Sequence, residues 1–176
     1  MDTLIYNGTV VTVNPDFDII ENGMVGIHAG EIVYAGPAGE GENMAANARI
    51  DAGGGIIMPG LVNAHSHLPM SLFRGLADDL PLADWLNDHI FPAEQQHVRP
   101  ETVKTGALLS CAEMLLSGTT CCCDGYFYED SVAEAVDAAG LRAVLGQGVI
   151  DFPAPGVADP KENVETARAF VDRGQG

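Results

Sequence analysis

Apolar and polar residues roughly alternate from Leu4 to Val13 and again from Met24 to Tyr34, the two-residue period of strands that turn one face inward. The second stretch is interrupted at His28-Ala29-Gly30-Glu31, where glycine supplies the backbone freedom of a tight turn, so this region reads as a β-hairpin. Pro37 to Ala48 is rich in Gly, Ala and Glu with little periodicity and reads as a surface loop. A third extended stretch, Arg49 to Ile57, follows, and residues 1–57 are expected to form a small β unit.

Beyond Pro59 the pattern changes to strands alternating with helices, the signature of an α/β fold with a parallel sheet. The clearest helix is predicted over Pro100 to Ser117. Proline suits its first turn, Gly118 stops it, and Val103, Ala107, Cys111, Met114 and Leu115 are expected on one face. Thr119 to Gly125 reads as a buried strand, Ser131 to Ala139 as a helix closed by Gly140, and Leu141 to Ile150 as the next strand. Asp159-Pro160 is expected to cap and start a last helix running to about Asp172. Three strand-and-helix units result. A closed eight-unit barrel takes about 250 residues, so the reading expects further barrel after Gly176, with a self-contained three-layer α/β domain as the alternative.

The totals narrow the partners. The 176 residues are 47% hydrophobic, ample for a core, and 25 acidic against 8 basic residues give a net charge of −17. A field of that sign repels phosphate backbones and anionic lipid headgroups, so neither nucleic acid nor a membrane is expected as a partner. No apolar run reaches the roughly 20 residues of a membrane span, and Met1 to Asn14 lacks the basic-then-apolar layout of a secretory signal. The expected location is the cytoplasm. Three of the four cysteines are adjacent (Cys121, Cys122, Cys123), which suits neither a disulfide framework nor paired C-x2-C zinc ligands. They read as small buried thiols.

The apolar run Ile56-Ile57-Met58-Pro59-Gly60-Leu61-Val62-Asn63-Ala64 ends in His65-Ser66-His67. Residues i and i+2 of a strand share a face, so both imidazoles can converge on one cation. They sit where a strand ends, the rim that carries catalysis in parallel α/β barrels. By itself H-x-H is also what two ordinary polar residues at a strand exit look like. A catalytic zinc normally takes at least three protein ligands, and His28, His89 and His97 fall in hairpin, helical or loop positions where solvent exposure or supporting packing is expected.

With its surroundings, Met58 to His67 resembles the opening barrel strand of the amidohydrolase superfamily. Met70-Ser71-Leu72-Phe73-Arg74-Gly75-Leu76-Ala77-Asp78-Asp79, Trp85-Leu86, Ile90-Phe91-Pro92-Ala93-Glu94, Ser117-Gly118-Thr119-Thr120 and Asp124-Gly125-Tyr126 are similar to the branch of S-adenosylhomocysteine and 5′-methylthioadenosine deaminases. The resemblance covers nearly the whole chain. It implies an α/β fold in which part of a small β-sandwich domain (1–57) precedes the first three units of a TIM (β/α)8 barrel (58–176). It also implies one divalent metal ion, commonly zinc, held by His65 and His67. The remaining ligands and the acid and base residues would lie after Gly176, so no catalytic residue is expected within this chain, which by itself should be inactive.

The implied reaction is hydrolytic deamination of an adenine nucleoside derivative by metal-hydroxide attack, the metal lowering the pKa of its water. The partner is a small nucleoside-like molecule, and a homo-oligomer is compatible with the resemblance. By its context Glu94 corresponds to the family glutamate that accepts hydrogen bonds from ribose hydroxyls; the other reading is a solvated loop carboxylate. Trp85 either helps wall the pocket or packs in the core. Gln147 stands where some S-adenosylhomocysteine deaminases place an arginine for the substrate carboxylate, and an amide cannot make that bidentate ion pair. A neutral nucleoside is thereby favoured. The rivals are a triazine chlorohydrolase or guanine deaminase on the same scaffold, and a non-catalytic hydantoinase-like assembly module.

Overall fold

The computed structural model of the chain describes residues 1–41 and 44–174. Glu42 and Asn43, within the predicted loop, and Gln175 and Gly176 lie outside the described residues. Two compact units are present, Met1–Pro59 and Gly60–Gly176. Among the described residues no helix is long and apolar enough to cross a membrane.

The first unit is a single five-stranded sheet. Strands β1 (Thr3–Val11), β2 (Ile19–His28) and β3 (Glu31–Pro37) form an antiparallel meander, and β4 (Ala48–Asp51) and β5 (Ile56–Ile57) pair in parallel with β1. The turn between β2 and β3 is the predicted one. Ala29 (φ 50°) and Gly30 (φ 81°) are both left-handed, as the two-residue hairpin turn that matches strand twist demands. Two expectations are corrected. The loop beginning at Pro37 opens with a single helical turn, α1 (Ala38–Gly41). The stretch Arg49 to Ile57 is broken at Gly53 (φ +60°) and Gly54 (φ +80°), so β4 runs beside Thr3–Tyr6 and β5 beside Thr9–Val10. Val10, Val25 and Ile57 form the buried cluster of this unit, with Ile5, Ile20, Ile27 and Ala52 packed against it.

The second unit is α/β. Its parallel sheet has the order β6 (Leu61–Ser66), β7 (Thr119–Tyr126), β8 (Arg142–Gln147). A 3-10 turn, Leu68–Phe73, follows β6. Helical winding then runs from α2 (Leu82–Asp84) through a π-helical segment, Trp85–Ile90, into α3 (Phe91–His97). Pro92 sits in the first turn of α3, where its missing N–H removes a helix bond and the wider π winding precedes it. Helix α4 (Pro100–Leu116) begins on its proline and is stopped by Gly118 (φ +83°), and α5 (Glu129–Ala139) is closed by Gly140 (φ +72°). Asp159 accepts a bond from the Lys161 backbone N–H at 3.0 Å, and a 3-10 turn at Pro160–Glu162 leads into α6 (Asn163–Arg173).

Leu68, Val103, Ala107, Cys111, Cys122, Tyr126, Val132 and Ala135 are buried together where the helices meet the sheet. Met114 packs against them, but Leu115 is 41% exposed. At about 100° per residue Leu115 lies ~120° around the axis from Val103, off the stripe that Met114 continues. Cys111 and Cys122 are fully buried and all four thiols are free. Burial, and after it the charge of Asp124, pushes the Cys122 thiol up to about 11.

The 3-10 turn after β6 is seated on α4 at Gly106. A Cβ there would stand 2.6 Å from the Pro69 carbonyl oxygen and 3.0 Å from Leu72 Cγ, so the segment behind the histidines can approach only a glycine. Gly106→Ala should therefore destabilise the fold by about 1–3 kcal/mol, as overpacking does, read as a lowered urea midpoint with an unchanged slope. An unchanged midpoint would show that this contact yields freely.

Candidate metal and nucleoside site

Parallel pairing of β6 with β7 sets Ser66 opposite Asp124, and the site is built where these two strands end. His65 is the penultimate residue of β6, whereas His67 lies one residue past it, at the entry to the 3-10 turn. Their rings are exposed, with centres 5.0 Å apart and planes at 75°. Metal–nitrogen bonds of about 2.0–2.1 Å are compatible with one ion between rings so spaced. His67 Nδ1 bonds the Gly125 carbonyl oxygen. A carbonyl only accepts, so Nδ1 carries a proton, which leaves Nε2 as the ring nitrogen that would face an ion, the arrangement of a ligating imidazole whose other nitrogen is held by the protein. Among the described residues the His65 ring has no hydrogen-bond partner, and only its backbone N–H is engaged, with Asn63 Oδ1 at 3.2 Å.

The donor set thus fits a metal, but only as half a site. Among the described residues no three His, Cys, Asp or Glu side chains group to hold an ion. His28 faces Asp2 at 3.3 Å in the first unit, His89 is exposed, and His97 lines a separate groove with Pro69, Phe73 and Val98.

A cavity of about 340 Å³ opens beside His67, walled by Met70, Trp85, Ile90, Glu94, Tyr126 and Phe152. His67, Trp85 and Glu94, separated by up to 27 positions in sequence, are brought to one space. The walls are mainly apolar and the polar groups few, the usual make-up of a small-molecule pocket. Trp85 is half-buried and its indole N–H donates to the Leu76 carbonyl at 3.1 Å, which fixes the ring as a wall. Glu94, on α3, is only 6% exposed and accepts a 2.7 Å bond from the Tyr126 hydroxyl. Burial raises its carboxyl above the usual range, opposed by the Tyr126 bond and by nearby His67. Tyr126 is in turn raised by burial and by its contact with Glu94. One Glu94 oxygen is committed to Tyr126, leaving the other to accept from a ligand hydroxyl.

Gln147 is placed differently. Its side-chain oxygen accepts from the Glu129 backbone N–H at 3.2 Å, at the first residue of α5, and it is not among the residues lining the cavity. The residues that sequence reasoning passed over are Tyr126, Ser66 and Asp124. The signal available for Asp124 was a carboxylate inside an otherwise uncharged strand, a costly placement unless hydrogen-bonded.

The profile of the amidohydrolase family matches residues 56–174. A 5-methylthioadenosine/S-adenosylhomocysteine deaminase of Syntrophobacter fumaroxidans is 47% identical over 98% of this chain and 39% of its own length. A 5′-deoxyadenosine deaminase of Methanosarcina acetivorans is 47% identical over 99% of this chain and 40% of its own. Among solved structures, an adenosine deaminase from Xanthomonas campestris with bound zinc superposes with a TM-score of 0.93 at 39% identity, covering 99% of this chain and 40% of that one. The chain thus spans about two-fifths of the length of these relatives. It belongs to the amidohydrolase family.

Proposed function

We propose that this chain contributes the opening part of a metal-dependent hydrolase that deaminates adenine nucleosides. In this reading residues 1–57 are the N-terminal part of a small β domain, and residues 58–176 supply the first three units of a (β/α)8 barrel. The sheet itself supports the barrel reading. Parallel sheets are normally covered on both faces, yet on the two outer strands Leu61, Val62 and Val144 are 51%, 64% and 65% exposed. Further strands and helices would cover them. Free thiols throughout agree with a cytoplasmic location.

One observation carries the functional reading: His67, paired with His65, opens onto the same cavity as Glu94. His65 and His67 would hold one divalent ion, zinc being the ion found with the Xanthomonas relative. When bound, the ion would supply Lewis acidity and bring the pKa of a water toward neutrality. The chain's own residues position the substrate. Glu94 accepts from a ribose hydroxyl with the oxygen that Tyr126 leaves free, while Trp85, Ile90 and Phe152 enclose the base and keep bulk water out. Among the described residues that line the cavity there is no lysine or arginine to pair with a carboxylate tail, which favours a nucleoside with a neutral 5′ substituent, such as 5′-methylthioadenosine, 5′-deoxyadenosine or adenosine. The relatives' names converge on the same chemistry. No acid or base for the proton transfers is assigned to this chain, so the isolated chain should not turn over substrate.

His65→Ala should weaken zinc binding to the chain by at least about 10-fold, a loss in metal affinity already typical of groups one shell further out, measured by calorimetric titration. Equal affinity in the two would remove His65 from the metal site. In the full-length enzyme, ammonia release should be seen with adenosine and its 5′-deoxy and 5′-methylthio derivatives. Glu94→Ala should raise KM for them about 10-fold or more, the worth of a hydrogen bond to a charged group. Turnover of a triazine or guanine with none of adenosine derivatives would contradict the assignment.

A further inference from the structure

Behind the histidines lies a second polar cluster that the proposed chemistry does not use. On β7, Asp124 shares a face with buried Cys122 and Tyr126 and is 6% exposed. Its Oδ1 accepts from the Leu68 backbone N–H at 2.7 Å and lies 2.8 Å from Ser66 Oγ. Leu68 and Ser66, whose single hydroxyl hydrogen is shared between Asp124 Oδ1 and the Cys123 carbonyl oxygen at 2.9 Å, flank His67 in sequence, and the next residue of β7, Gly125, holds the His67 ring itself. The other oxygen, Oδ2, is buried without a hydrogen-bond partner among the described residues, as are both carboxyl oxygens of Glu129, a side chain with no exposure at all.

Three unpaired oxygens on two neighbouring acids would be intolerable if both were charged. Isolated buried carboxylates are far costlier than unpaired neutral groups, and two close carboxylates ordinarily resolve the conflict by keeping one proton between them. Burial is the largest influence on both groups and raises both; the charge of Asp124 raises Glu129 further, while the Leu68 and Ser66 bonds favour the charged form of Asp124. Asp124 has the Leu68 N–H as a donor, which favours its charged form, while both Glu129 carboxyl oxygens lack a partner among the described residues, so Glu129 is the acid suited to hold the shared proton. Its position is fixed as well, because it opens α5 and its backbone N–H is held by Gln147.

We propose that Glu129 is a positioning residue: its protonated carboxyl donates to Asp124 Oδ2, and the carboxyl–carboxylate brace so formed clamps the main chain on both sides of His67, aiming the imidazole at its ion. No bond is broken and no proton leaves the pair; Glu129 O–H donates and Asp124 accepts. This links α5 to the metal half-site through two hydrogen-bonded steps, and it gives Gln147 a structural task in place of a substrate contact. The consequence for zinc rests on the metal reading of His65 and His67, whereas the brace itself does not.

The test uses the chain with zinc ion as the probe. Glu129→Gln retains a donor toward Asp124 and should keep zinc affinity within about 2-fold, with the His67 ring proton still on Nδ1 by nitrogen NMR. Glu129→Ala leaves Asp124 unpaired and should lower zinc affinity about 10- to 100-fold, the range for residues that support a metal ligand, with blurring of that ring signature. Independently of any variant's stability, the infrared spectrum of the folded wild-type chain at neutral pH should contain a protonated-carboxyl band that is missing from Glu129→Gln. Equal zinc affinity in Glu129→Ala and wild type, failure of Glu129→Gln to rescue, or absence of the band would each overturn the proposal. If wild type binds no zinc, the metal reading fails, and the infrared and NMR results alone decide the brace.

Discussion

The site depends on one parallel strand pairing. Because β6 and β7 run side by side in parallel, with a register shift between Asn63 and Ser66, the end of one delivers His65, Ser66 and His67 to the same edge at which the other delivers Asp124, Gly125 and Tyr126. The polar contacts that hold the His67 segment cross this seam, the Leu68 N–H and Ser66 to Asp124 and the His67 ring to the Gly125 carbonyl, whereas the His65 N–H is held within β6 by Asn63. Parallel strands need a long crossover. Here the connection carries the 3-10 turn, the π-wound segment and α4, so the same topology that joins the strands also supplies Trp85 and Glu94.

This arrangement divides labour between the two faces of β7. Cys122, Asp124 and Tyr126 point to the side packed by α4 and α5, where Cys111, Val103 and Val132 make a dry interior. A carboxylate at that position is expensive unless fully engaged. The local donors from the β6 segment and the neighbouring acid on α5 engage it, and rigidity around His67 follows. Tyr126 reaches from the same strand to Glu94, so His67, the proposed metal ligand, and Glu94, the proposed ribose acceptor, are both referenced to one strand rather than to separate loops.

Much of the fold was legible in the sequence because local rules decide it. The Ala29-Gly30 turn, the Pro100 start and Gly118 stop of α4, and the Gly140 closure of α5 follow from backbone preferences that tertiary contacts do not override. The break at Gly53 and Gly54 was hidden, since its cause is the registration of two short strands on one side of β1. Helical spacing placed Val103, Ala107 and Cys111 correctly but extended the buried face one position too far, to Leu115. Of the residues singled out by type and context, His67, Trp85 and Glu94 line one cavity and the His65 ring stands beside that of His67. The partnership of Glu94 with Tyr126, 32 residues away, and of Asp124 with Leu68, 56 away, could not be picked out, because such contacts exist only once the sheet has formed. Gln147, singled out for a substrate contact, has its side-chain oxygen engaged at the start of α5, another partnership that exists only in the folded chain.

The central claim is that two imidazoles from one strand end share an ion. X-ray absorption at the zinc edge, on the chain loaded with one equivalent of zinc, tests it most directly. The account predicts two imidazole nitrogens at about 2.0–2.1 Å in the wild-type chain and the loss of one of them in His67→Ala. A zinc environment made of sulfur, or one that His67→Ala leaves unchanged, would contradict it.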